Sequence, residues 1–213
     1  MRFELTRPWV AVAWAVLGAF VLVVAIARSD RQFRFQAYIL GLMVAVRTSL
    51  NNFYLIETYA GWSARLVTVG SIVAILFGCF FLLLRVQAVP PAKAGRFERP
   101  LFWIDRHSRY LYFFLPMGLL TNLLRLEVSR GLLTLAWGIE GLGLFLCGLA
   151  IGERRFRLTG LLLLLVCIGR IFLYDLRSSN VLYRIFSFLV LGAVLLIVSF
   201  LYTRYREKLN RYL

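Results

Sequence analysis

The chain has 213 residues, 61% of them hydrophobic, with a mean hydropathy of +0.79 and a net charge of +15. Soluble domains are about 45–50% apolar, so this excess calls for lipid, and the length admits about seven spans of ~20 residues with no room for a sizeable soluble domain. The basic charge points away from nucleic acid, because Arg and Lys flank apolar runs as they do at membrane surfaces, where they attract anionic headgroups.

In chain order, Met1 to Pro8 is a short tail carrying Arg2 and Arg7, and Trp9 to Ala27 is the first span. Ala25-Ile26-Ala27 fits a signal-peptide cleavage pattern, but the apolar run exceeds an h-region of about 7–15 residues, so it is read as a retained span. Phe35 to Tyr54 is the second span, with Arg47, Asn51 and Asn52 towards its end, and Leu66 to Leu84 is the third. Gln87 to Pro100 is a basic linker in which Pro90-Pro91 cannot continue a helix. Leu101 to Tyr110, with Trp103, Asp105, Arg106, His107 and Arg109, reads as an interfacial lead-in.

Tyr110 to Leu126 is the fourth span, interrupted by Pro116; Leu132 to Ile151 is the fifth, with Glu140 inside. Leu158 to Tyr174 is the sixth and Val181 to Tyr202 the seventh, followed by a basic tail from Arg204. The last two spans are joined by a polar hairpin whose surroundings hold Arg170, Asp175, Arg177 and Arg184. Sixteen Arg and Lys fall on the side containing Arg28, Arg85, Arg154 and Arg204, against seven on the side containing Arg7, Arg65, Arg130 and Arg177. The positive-inside rule then puts the N-terminus outside and the C-terminus in the cytoplasm.

Residues 13–52 slid over residues 136–175 give ten identities in forty positions, among them Trp14/Trp137, Phe33/Phe156, Arg34/Arg157 and Arg47/Arg170. With the next loop shortened by four residues, Arg65 falls on Arg184 and Arg85 on Arg204. The expected fold is all-α: a polytopic transmembrane helical bundle of seven spans in a 3+1+3 parallel internal repeat. It forms a single transmembrane domain, with residues 1–85 and 132–213 as the copies and 86–131 as the basic linker and fourth span. One intervening span leaves both copies in the same orientation, as in some transporter halves.

Chemistry could reside in ionisable groups within the spans, which are costly there unless partnered. Arg47 and Arg170 each lie about 18 Å along their helices from the cytoplasmic start. Glu140 reaches a similar depth to Arg170 on the neighbouring helix, and an ion pair would lower the cost of both. The first copy has Leu17 where the second has Glu140, so Arg47 lacks that partner, leaving Asn51 or Asn52 to bond to it, or snorkelling outward. Arg47, Arg65, Arg170 and Arg184 could line an outer-leaflet cavity for an anionic ligand or lipid phosphate; alternatively these arginines tie helices together.

No metal site or cofactor is expected. His107 is the only histidine, and Cys79, Cys147 and Cys167 form no CxxC pair. No nucleophile elbow, phosphate loop or dinucleotide fingerprint occurs. A membrane enzyme would need paired carboxylates or a histidine at one interface. Glu57, Asp105 with His107, and Asp175 are the raw material, and they fall on opposite expected sides. Trp and Tyr near span ends read as interfacial belt residues, and the glycines of span five as packing positions.

Three segments carry a resemblance: Leu135-Ala136-Trp137-Gly138-Ile139-Glu140-Gly141, Arg157-Leu158-Thr159-Gly160-Leu161 and Arg170-Ile171-Phe172-Leu173-Tyr174-Asp175-Leu176. With Tyr183-Arg184-Ile185-Phe186-Ser187-Phe188 and Ser199-Phe200-Leu201-Tyr202, they make spans five to seven resemble the C-terminal part of a family of bacterial predicted membrane proteins of unknown function. The resemblance implies a helical membrane fold and a bacterial inner-membrane location, and it supplies no reaction. The reading is a non-enzymatic scaffold or accessory subunit whose partners are membrane lipids and other membrane protein subunits. The alternative is a transporter or lipid-handling protein using the arginines.

Overall fold

The structure, a computed structural model, describes residues 9–28, 30–59, 61–85, 98–129, 132–152, 154–170 and 181–204. The described residues are all-α apart from one small hairpin and form seven α-helices. These are α1 (Trp9–Ala27), α2 (Arg31–Leu50), α3 (Ala64–Leu84), α4 (Glu98–Glu127), α5 (Leu133–Ile151), α6 (Arg154–Arg170) and α7 (Val181–Arg204). Among the described residues, α1, α3 and α5 are long and apolar enough to cross a membrane. The chain divides into two compact units, Met1–Leu123 and Leu124–Leu213.

In the first unit α1 packs against both α2 and α3. Its contact face is made of Ala11, Ala15, Gly18, Leu22 and Ala25, all buried. These positions follow the three-to-four-residue helical spacing that puts side chains on one stripe. Small residues on that stripe let the backbones approach, which matters in lipid, where packing replaces the hydrophobic drive. The helix α4 joins through aromatic contacts: Tyr112 meets Tyr38 edge-on at 6.1 Å, and Phe113 meets Phe80 at 5.4 Å. The buried Tyr112 hydroxyl donates to the Ala37 carbonyl oxygen at 2.8 Å, so a polar group far from water is satisfied.

Several boundaries differ from the sequence reading: α2 ends at Leu50, four residues before the expected Tyr54, and α6 begins at Arg154, four residues before the expected Leu158. The helix α2 starts at Arg31, four residues before the expected Phe35, because the Asp30 carboxylate accepts from the Gln32 amide and caps it. The expected interfacial lead-in at Leu101–Tyr110 is continuous with the fourth span as one 30-residue helix containing Pro116.

The described residues between α2 and α3 hold short regular elements. A 3-10 turn at Asn52–Tyr54 leads into paired strands, Thr58–Tyr59 (β1) and Trp62–Ser63 (β2), in register Thr58↔Ser63 and Tyr59↔Trp62. Gly61 turns the hairpin with φ +84°, a left-handed conformation that glycine adopts without steric cost. The Ser63 hydroxyl then accepts from the Leu66 amide and caps α3. Tyr54, Ile56 and Trp62 stand exposed around this connection.

In the second unit α5 packs against both α6 and α7. Phe145, Leu164, Cys167, Leu191, Val194 and Val198 form its core. The α5–α6 crossing is close. A Cβ on Gly148 would stand 2.5 Å from the Arg157 amide nitrogen, and one on Gly160 2.6 Å from that of Phe145. The five buried positions of α1, moved by 123 residues, fall on Thr134, Gly138, Gly141, Phe145 and Gly148, all buried in α5. The buried Ala37, Gly41 and Val44 of α2 fall likewise on the buried Gly160, Leu164 and Cys167 of α6.

Candidate functional site

The polar equipment of these helices begins with hydroxyls that bond to their own helix. Thr48 donates to the Val44 carbonyl, Ser49 to Ala45, Thr68 to Ala64, Ser71 to Val67 and Thr121 to Met117, at 2.6–3.0 Å. Such back-bonding satisfies a hydroxyl where no water is at hand.

Arg47 lies in the last turn of α2. With α2 beginning at Arg31, it stands about 24 Å along the helix by its rise, deeper into the helix than the sequence reading placed it. A cation there faces the partial negative charge of the carbonyl end, which favours it. Its guanidinium carbon lies 5.1 Å from the Trp14 ring centroid on α1. Arg47 is half-buried, and its Nε is buried with no hydrogen-bond partner among the described residues.

Asn51 and Asn52 follow at the same end. The Asn51 amide bonds to the Arg47 carbonyl at 2.9 Å and closes the helix, with its side chain exposed; Asn52 is 1% exposed and begins the 3-10 turn. Arg65, half-buried, lies in the first turn of α3 beyond the hairpin. Arg47, Asn51, Asn52 and Arg65 are therefore gathered at one end of the first unit.

In the second unit Arg170 closes α6, and its guanidinium carbon lies 5.3 Å from the Trp137 ring centroid on α5. Glu140, 9% exposed, sits on α5 one turn after Trp137, a spacing that places the two on one helix face. The corresponding position in the first unit is Leu17, 50% exposed. Asp175 and the Arg184 side chain lie outside the described residues.

The two tryptophans are the residues that sequence reasoning passed over, reading aromatics near span ends as belt residues. Their signal was present, since Trp14/Trp137 and Arg47/Arg170 match at one offset. A crevice beside Trp14, lined also by Gly18, Gly41, Cys79 and Tyr112, is apolar and too narrow for a water molecule, so it is packing space. Among the described residues no group of three His, Cys, Asp or Glu side chains is placed to hold a metal ion.

The family model described as Predicted membrane protein (DUF2339) matches residues 39–205, and the chain belongs to that family. No curated protein and no solved structure matches the chain.

Proposed function

We propose that this member of the DUF2339 family is a non-enzymatic integral membrane protein, a scaffold or accessory subunit of a larger assembly in a bacterial inner membrane. The observation that carries the reading is that each unit's arginine near a helix end lies on a tryptophan of the same unit. A cation held on an aromatic face ties two helices together, which is architectural work. Large apolar side chains exposed on α1, α2, α6 and α7, such as Phe20, Met43, Leu165 and Leu196, leave wide surface for lipid or other subunits.

The proposal includes seven spans, an outer N-terminus, a cytoplasmic C-terminus and a parallel 3+1+3 duplication. Residues 1–85 and 132–213 are its copies, with the linker and fourth span at 86–131. The shared burial pattern of α1 and α5, the shared packing of each on two helices, and the two Arg–Trp stacks at one offset support the duplication.

A second reading is an anion-binding role, in transport or lipid handling, for the arginine cluster. It is favoured by the Nε of Arg47, which lacks a hydrogen-bond partner among the described residues. Gentle extraction from native membranes, with the mass and composition of the intact particle determined, separates the two. A fixed stoichiometry with other membrane proteins supports the scaffold. A particle containing this chain alone rejects it.

A further inference from the structure

The two Arg–Trp stacks share their geometry and differ in their surroundings, and we propose that the difference makes one of them a binding site. The structure assigns a phosphate site to Arg47 on Trp14, with a phospholipid headgroup as its source, while Glu140 keeps Arg170 from serving the same role. This deepens the anion-binding reading and rests on it.

A guanidinium carries five N–H donors in its own plane. An aromatic ring beside it offers its π face to the charge and accepts none of the in-plane N–H donors as a lone-pair acceptor would. Indole offers no acceptor, because its nitrogen only donates. The stack therefore holds the charge in place without using its hydrogen bonds, and the buried Nε of Arg47 has no hydrogen-bond partner among the described residues. Phosphate oxygens match such in-plane donors two at a time, which lysine cannot reproduce. Arg47 is also in the last turn of its helix, beside a connection that exposes Tyr54, Ile56 and Trp62. Exposed aromatics of that kind sit at headgroup level, where lipid phosphates lie.

Arg170 has the same stack on Trp137, but α5 carries the buried carboxyl of Glu140 one turn further on the same face. A carboxylate on the face that carries Trp137 adds negative charge on the helix against which Arg170 lies, and like charge disfavours a second anion. The apolar Leu17 at the matching place on α1 adds none.

The test is native mass spectrometry of the purified full chain in detergent, titrated with phosphatidylglycerol and with diacylglycerol of the same acyl chains. One phosphatidylglycerol should be retained per chain, with diacylglycerol held at least ~10-fold more weakly, the loss expected from removing charged hydrogen bonds. Arg47→Gln should abolish retention, and Arg47→Lys should weaken it about 10-fold by losing the two-point contact. Arg170→Gln should leave it unchanged. Glu140→Gln should add a second bound lipid, a gain that does not depend on how well the Arg47 variants fold.

Displacement of the lipid by millimolar inorganic phosphate, absent in Arg47→Gln, would keep the phosphate site and assign it to the free anion; resistance to phosphate assigns it to lipid. Equal retention of diacylglycerol, or unchanged retention in Arg47→Gln, overturns the proposal. So does loss of the same single lipid in Arg47→Gln and Arg170→Gln alike, which would leave the broader anion-binding reading standing with one shared site.

Discussion

Arg47 holds its guanidinium carbon 5.1 Å from the ring centroid of Trp14, joining the last turn of α2 to the first half of α1. The contact lies at the end of the pair remote from Asp30, which caps the start of α2. Cation–π contacts range from about 0.5–1 kcal/mol when exposed to ~2 when desolvated. A double-mutant cycle with Trp14→Leu and Arg47→Gln, read by unfolding in detergent, should give a coupling of about 1 kcal/mol. Trp137 with Arg170 should behave alike. Coupling near zero at both pairs would show that the stacks do not tie the helices.

The α5–α6 crossing tolerates no side chain at Gly148 or Gly160, since an added Cβ would meet backbone at 2.5–2.6 Å. Gly160→Val should destabilise the second unit by about 1–3 kcal/mol or more, the range for overpacking. The matching position in α2 is Ala37, which already fits a Cβ. Ala37→Gly should cost only about 0.5–1 kcal/mol, through backbone freedom. Unfolding midpoints of the two variants check the contrast.

Tyr112 couples α4 to α2. Removing its hydroxyl leaves the Ala37 carbonyl with only its helix bond, so Tyr112→Phe should cost about 0.6 kcal/mol, the mean for hydrogen bonds within membrane proteins. A Cβ on Gly41 would stand 2.9 Å from that hydroxyl oxygen. Gly41→Ala should therefore be destabilising alone and milder in the Tyr112→Phe background. Additive effects would mean that the hydroxyl is not what Gly41 makes room for.

The basic residues bear on orientation. With sixteen Arg and Lys expected on one side against seven on the other, a reporter fused after Leu213 should be active in the cytoplasm. Activity on the outer face alone would reject the proposed orientation.

The long apolar runs made α1, α3 and α5 legible from sequence alone, because few other structures accommodate ~20 apolar residues in a row. The starts of α2 and α4 were hidden by charge: Arg31 and Arg34 look like loop, and only the Asp30 cap shows that the helix has begun. Strands of two residues are too short to carry alternation, so the Thr58–Ser63 hairpin left no periodic signal. At the site, the arginines stood out because charge in an apolar run is rare. Trp14 and Trp137 did not, because an aromatic at a span end has an ordinary role at the interface. Only the shared offset of 123 residues linked each tryptophan to its arginine.

The parallel duplication is most directly tested by asking whether the α1–α2 turn and the α5–α6 turn lie on one face of the membrane. With Cys79, Cys147 and Cys167 replaced by alanine, single cysteines at Arg28→Cys and Arg154→Cys, both exposed positions, can be labelled with a membrane-impermeant maleimide. The duplication predicts labelling of both from the same face, and the charge distribution makes that face cytoplasmic: both protected in intact cells, both labelled in inside-out vesicles. One position labelled from each face would contradict it, because the two units would then be inverted relative to one another.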